Sequence, residues 1–278
     1  MASIDAIGRQ RAKREGMILL SVSEDHEIFH ALIQAVQKPG GFPDNLGELL
    51  LAVGTFFLGS PFAPRTLEQE EGEKLVVNLR QLDCFTLVEN TVVLARLIRT
   101  GQANWPAFKA ALQTSRYRQG CLDGYAARLH YFSDWLYDNQ SRGFLQDITP
   151  ALGGIPWHKE FNFMAAHRDQ YPALASPATY RRLQQVEKIC SARSYHHIPK
   201  TSVPTCSHKI KNGDLIAITT SIAGLDVVHV GLAVHLRRGL HLLHASQRAG
   251  KVIISAETIY RYLRHRKSRL GIMVARVL

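Results

Sequence analysis

The chain has 278 residues, 46% of them hydrophobic and 21% charged, with a formal net charge of +11 and a pI near 9.7. That length suits one large domain or two smaller ones with real cores, and the lack of any run of roughly eighteen apolar residues excludes a membrane-spanning helix. The charge fits a soluble basic protein, a nucleic-acid binder or an enzyme for carboxylate-bearing substrates. Nucleic acid is not expected, because no basic stripe with interleaved aromatics appears outside "RYLRHRKSRL", Arg261 to Leu270, which reads equally well as the solvated face of a terminal helix.

Near the start, Arg9, Arg11, Lys13 and Arg14 precede only the short apolar run "GMILLSV", too short for a signal peptide. In "SEDHEIFHALIQAV", Ser23 is the expected N-cap and Ile28, Leu32 and Val36 recur at a helical period. "DNLGELLLAVGTFFLG" follows, with Asp44 as cap. "CFTLVENTVVLARLIRTG" runs from Cys84 to Gly101, apolar on nearly every face, and predicts a buried helix. Asn104 caps the next helix, with Pro106 in its first turn, and "GYAARLHYFSDWLYDNQSRG" adds another. From Asp147 to Pro199 the periodicity weakens, predicting a linking region with one or two short helices. Beyond Lys200 the period becomes two. "GDLIAITT", "LDVVHVGLAV", "GLHLLHAS" and "GKVIIS" are four strand-like runs separated by Gly-containing turns. Helices first and an antiparallel sheet last is an α+β order.

The four cysteines, Cys84, Cys121, Cys190 and Cys206, match no zinc spacing, and neither C-x-x-C nor H-E-x-x-H occurs, so no metal and no cofactor is expected. A Cys190–Cys206 bridge would fit an exported protein. Cys84 differs from the rest. With Asp83 as N-cap it is the first residue of its helix, where free N–H groups and the helix dipole favour a thiolate and its own backbone N–H can face an oxyanion. An inert buried cysteine fits the same local pattern, so a base decides.

His229 and His244 lie inside consecutive strands. His229 shares a face with Gly231 and Ala233, while Val228, Val230, Leu232 and Val234 point the other way. A hairpin turning at Arg237 and Arg238 makes paired residue numbers sum to 475, which sets His229 opposite Ser246 with His244 its diagonal neighbour. Diagonal neighbours lie about 7–8 Å apart, within reach of two imidazoles, and a slip by one residue would separate them. Such a pair supplies a base held by a third group, as Cys–His nucleophilic catalysis requires. Two histidines satisfied within a sheet remain the alternative at this point.

"LDCFTLVEN", "HVGLAV" and "HLLHAS" resemble the nucleophile helix, catalytic-histidine strand and third-residue strand of the NlpC-type papain-like cysteine amidases and peptidases. More narrowly, "FFLGSPFAPRTLE", "LVVNLRQLDCFTLVE", "SRYRQGCLDGYAARLHYFSDWL", "GDLIAITTSIAGLDVVHVGLAV" and "HLLHAS", in that order from Phe56, resemble the N-acetylmuramoyl-L-alanine amidase-like branch. The resemblance implies a papain-like α+β fold with 56–278 as the amidase domain, and the helical pattern of residues 1–55 reads as an extension packed on it. The resemblance also implies a Cys84–His229–His244 triad and cleavage of the muramoyl-L-alanine amide, with 1,6-anhydro muropeptides favoured. Gln247 after "HAS" and Ala127 before Arg-x-His depart from its pattern. The expected partner is a muropeptide, in the periplasm or cell envelope. Arg116, Tyr117, Arg118, Arg128, His130 and Ser246 are candidate substrate contacts, and Glu89 is expected as a buried partner for an arginine. An endopeptidase with the same triad, or a non-catalytic wall-binding module, would share most of these features.

Overall fold

A helix opening at Cys84 is the piece around which the others pack in this computed structural model, which describes residues 23–37, 42–68 and 72–278. Before it come α1 (23–36) and α2 (Leu46–Phe56); the central helix is α3 (Cys84–Arg99), followed by α4 (Trp105–Arg116) and α5 (Phe132–Ser141). Next are β1 (Leu145–Asp147), β2 (Ile155–Trp157), α6 (Phe163–Ala166), α7 (Pro177–Ser191), β3 (Tyr195–Pro199) and α8 (Val203–Cys206). The chain ends through β4 (Leu215–Thr220), β5 (Val227–Leu236), β6 (Gly239–Ser246), β7 (Lys251–Ile254), α9 (Ile259–Arg264) and β8 (Arg269–Val277). No helix among the described residues is long and apolar enough to cross a membrane.

The helices obey their local signals with small displacements. Asn104 accepts from the Ala107 N–H at 2.9 Å, with Pro106 in the first turn as predicted. The cap of α2 is Asn45, which accepts from Gly47 and Glu48, and Asp44 lies one residue outside. Ser23 is already helical, so it is not the N-cap of α1. The helix expected from Gly124 begins only at Phe132. Tyr125–Ala127 is a single 3-10 turn, and the chain runs extended from Arg128, whose side chain donates to the Leu67 carbonyl.

The sheet is antiparallel throughout, ordered β2-β3-β8-β4-β5-β6-β7, with β1 also pairing β8. Two expectations give way here. Helix after Ile259 stops at Arg264, and residues read as its continuation enter β8, which sits between β3 and β4. Gly271 to Ala275 are all buried, so this strand shows no polar alternation to mark it. The supposed link from Asp147 to Pro199 holds two strands and the 15-residue α7, capped by Ser176. Cys190 and Cys206 are free thiols buried in different apolar clusters, on the two sides of the sheet, which leaves no bridge between them.

One large apolar cluster takes in Phe29 and Leu32 of α1, Leu49 and Val53 of α2, most of α3, and the Val230–Leu232–Val234 face of β5. The other sheet face packs Leu240, Leu242 and Ile272 under Ile259 and Leu263 of α9. Because α3 is buried on nearly every side, its one carboxylate is buried too. Glu89 is 0% exposed and accepts from Arg116, itself 2% exposed, at 2.9 and 2.7 Å. Removing one member strands the other in an apolar core, so Arg116→Met should lower the unfolding free energy by about 3–5 kcal/mol. Chemical denaturation should show Arg116→Met with Glu89→Leu recovering most of that loss.

Candidate active site

Cys84 owes its position to a reciprocal cap. The Thr86 N–H donates to Asp83 Oδ1 at 2.8 Å, and the Asp83 N–H donates to Thr86 Oγ1 at 2.9 Å. This capping box fixes Cys84 as the first helical residue. Its half-buried thiol lies where the N–H groups of Cys84, Phe85 and Val230 can hydrogen-bond the sulfur. Val230 directly follows His229, so helix α3 delivers the thiol to the strand position next to the candidate base. Among the described residues, no hydrogen bond joins the thiol to either imidazole.

The expected lowering of the thiol pKa does not occur. Burial, followed by the Asp83 carboxylate, pushes Cys84 up to about 12 against the pull of the three amides. The resting group is therefore a thiol, and it needs a base at the moment of attack.

The candidate base is positioned by the hairpin. β5 and β6 pair from Leu232↔Leu243 to Leu236↔Gly239, the predicted register. His229 Nε2 and His244 Nδ1 are 2.6 Å apart, with the rings nearly perpendicular at 89°. Their approach depends on two irregularities. On one side the β4–β5 ladder shifts so that Ile218 pairs His229 while Thr219 pairs Val227, leaving Val228 as an extra residue. On the other the β5–β6 ladder ends at Leu232, where Gly231 passes so close that a β-carbon would stand 2.6 Å from the Leu243 carbonyl oxygen. Burial lowers His229 to about 3, with the His244 and Arg269 charges acting in the same direction, and burial and Arg269 lower His244 to about 4. Both imidazoles are neutral at neutral pH. In the tautomer where Nε2 of His229 donates to His244, Nδ1 of His229 keeps a free lone pair for a proton.

Two residues missed by sequence reasoning complete the surroundings. The Tyr262 ring lies 6.1 Å from that of His229 and 5.7 Å from that of His244, and Arg269 sits 4.0 Å over the Tyr262 ring. The only signal for them was an aromatic breaking a basic run.

The proposed substrate contacts separate into different places. Arg116, Tyr117 and Arg128 are 2%, 0% and 4% exposed, so they form no basic surface. Arg116 holds Glu89, the Tyr117 hydroxyl donates to Glu73, and Arg128 pairs with Glu68. Arg118 donates to Asp134, and a His130 nitrogen meets the Tyr125 carbonyl at 2.8 Å. Ser246 Oγ accepts from the Ala249 N–H, holding the turn after β6. Asp226 accepts from the Ser133 N–H and hydroxyl. Among the described residues, no group of His, Cys, Asp and Glu side chains could hold a metal ion.

Residues 52–272 match the family described as N-acetylmuramoyl-L-alanine amidase-like. Among solved structures, an N-acetylmuramoyl-L-alanine amidase from Bacteroides uniformis is 36% identical with a TM-score of 0.80, covering 84% of this chain and 99% of that one. A putative xylanase from Bacteroides fragilis is 37% identical with a TM-score of 0.77, covering 81% and 99%. A Legionella pneumophila protein shares the fold at 21% identity, with a TM-score of 0.67 and coverage of 92% and 94%. No curated protein matches the chain.

The depressed histidines make stability fall with acid. Unfolded histidines bind protons near 6.5, but His229 and His244 in the folded protein do so only near 3 and 4. In that window the unfolded state holds more protons, so stability is full above about 6.5 and declines as pH drops toward 3. Melting temperatures measured from pH 7 to pH 4 should fall less steeply for His244→Asn than for the parent chain.

Proposed function

Because the chain belongs to the N-acetylmuramoyl-L-alanine amidase-like family, we propose that it is a cell-wall amidase that hydrolyses the amide between the lactyl group of N-acetylmuramic acid and L-alanine, using Cys84, His229 and His244. One observation carries this reading: a thiol at the first position of a capped helix, lying where the Val230 amide can reach its sulfur, with Val230 next in chain to a histidine locked at 2.6 Å to a second histidine. A nucleophile helix packed on an antiparallel sheet that bears the base also supports a papain-like, NlpC-type arrangement.

The chemistry follows from the charge states. Thiol and imidazole both rest uncharged, so His229 Nδ1 takes the thiol proton as sulfur attacks the lactyl carbonyl. The backbone N–H of Cys84 faces the resulting oxyanion. The carbon–nitrogen bond then breaks as His229 returns the proton to the L-alanine nitrogen, leaving a thioester on Cys84. Water, deprotonated by His229, attacks the thioester, and the thiol leaves with that proton. His244 is a positioning residue: it fixes the tautomer in which His229 Nδ1 is the base. Substrates of this kind are muropeptides released during wall turnover, with 1,6-anhydro forms favoured, which places the enzyme in the periplasm or cell envelope.

Incubation with anhydro and reducing disaccharide-tetrapeptides, read by mass spectrometry, should release a free tetrapeptide beginning with L-alanine, faster from the anhydro form. Shortened stems with L-alanine still on the sugar would identify an endopeptidase instead. Cys84→Ala should lose roughly 10^4-fold or more in rate, and retained activity would remove the mechanism. The acid limb of kcat/KM should lie well below the ordinary histidine value of about 6.5, because burial keeps His229 unprotonated.

A further inference from the structure

The far end of the nucleophile helix carries a cation with no counter-charge. Arg96 stands in the last turn of α3, about 18 Å along the helix from Cys84 at 1.5 Å per residue. It is half-buried, and among the described residues its side chain joins no ion pair and makes no hydrogen bond. Its guanidinium lies 3.9 Å over the ring of Phe144, just beyond α5. Burial, and after it the neighbouring Arg142 charge, lower its pKa. Arg142 stacks on the same ring at 5.3 Å, but it pairs with Asp138 and donates to the Thr114 carbonyl. Arg116, Arg118 and Arg128 likewise each meet a carboxylate. The dipole at the end of α3 favours a cation, yet Arg96 keeps all its N–H donors uncommitted.

Those donors border a cavity. Arg96 and Phe144 line it with Val92, Val93 and Leu97 of α3 and Ala111 of α4, around a volume of about 260 Å³. Most other polar groups on its walls already donate inside the protein. Thr114 Oγ1 donates to the Ala110 carbonyl at 2.8 Å, and the Thr100 hydroxyl faces the Arg96 and Leu97 carbonyls at 3.1 and 3.2 Å. Asn139 Nδ2 donates to the carbonyls of Ser115 and Trp135 at 3.0 and 2.8 Å. What remains is an apolar volume with one uncommitted charged donor, the combination by which small-molecule sites hold and orient a ligand.

We propose that this cavity binds a small monocarboxylate with an apolar body, its carboxylate on the edge of Arg96 and its body among Val93, Leu97, Ala111 and Phe144. A guanidinium lying flat on a ring still presents its N–H edge, which matches a carboxylate through two parallel hydrogen bonds. A single negative charge is selected, because Arg142 is already neutralised and a second charge would face apolar walls. The volume suits one ring or a short chain. The site shares no residue with Cys84, His229 or His244, and it stands whatever bond the enzyme cuts.

Benzoate, benzamide and acetate separate the charged and apolar halves of this recognition. Calorimetry on the full chain should show saturable binding of benzoate. Benzamide should bind about tenfold to a hundredfold more weakly, lacking the charged hydrogen bonds, and acetate should also bind more weakly, lacking the apolar body. Arg96→Gln should lower benzoate affinity by the same factor and leave benzamide unchanged, and Arg96→Lys should recover part of the loss. Amide NMR shifts in the parent chain locate the ligand without any variant. They should saturate with the calorimetric constant at Leu97, Ala111 and Phe144 while Cys84 and Val230 stay still. Ala111→Phe, which fills the cavity and keeps the charge, should abolish binding in a chain whose melting transition shows it folded. Equal affinity for benzoate and benzamide, shifts centred on Cys84, or benzoate binding that survives Arg96→Gln would overturn the site. So would the absence of saturable benzoate binding in the millimolar range.

Discussion

Helix α3 is buried on almost all its sides yet leaves its first residue, Cys84, half-exposed, and the rest of the structure is arranged around that helix. Leu87, Val88, Leu94 and Ala95 lie in the main core, so α2, α4 and the sheet are drawn around them. The Asp83–Thr86 box then stops the helix at a definite residue, and burial of everything behind it fixes the direction in which the N-terminus points. The single carboxylate within this helix is neutralised by Arg116 from α4, so the same ion pair that satisfies Glu89 also ties two helices together. Conformational specificity and charge compensation here are one arrangement.

The price of that burial is electrostatic. Removing water raises the thiol and lowers both imidazoles, so the components stand in their uncharged forms. Neutral partners can be held in a low-dielectric place without the large desolvation penalty of an ion pair. The Tyr262 ring lies close to both imidazoles, and Arg269, stacked on Tyr262, adds a positive charge that lowers both further.

The basic composition turns out to serve architecture more than surface potential in the middle of the chain. Arg116, Arg118, Arg128, Arg142 and Arg193 each meet a carboxylate, and Arg276 of β8 meets Asp214. Planar guanidiniums suit such buried pairing, and their geometry anchors loops that have little apolar content of their own. Arg128 illustrates this by holding the turn of Leu67 and Glu68 against Tyr125.

The sequence by itself determined the features that depend on near neighbours. Caps at Asp83 and Asn104, the buried character of α3, the four strands from Leu215 to Ile254, and the register that brings His229 to His244 all follow from local pattern and turn chemistry. So did Glu89 as the partner of an arginine, since a carboxylate on an apolar helix has few other choices. Only the tertiary structure decided that β8 occupies the middle of the sheet, because a strand buried on both faces loses its alternation. It alone decided that Arg116 and Arg128 face inward, and that Cys84 is pushed up rather than down. Those outcomes depend on how much water each group loses, and desolvation is set by residues far away in the chain that no local pattern records.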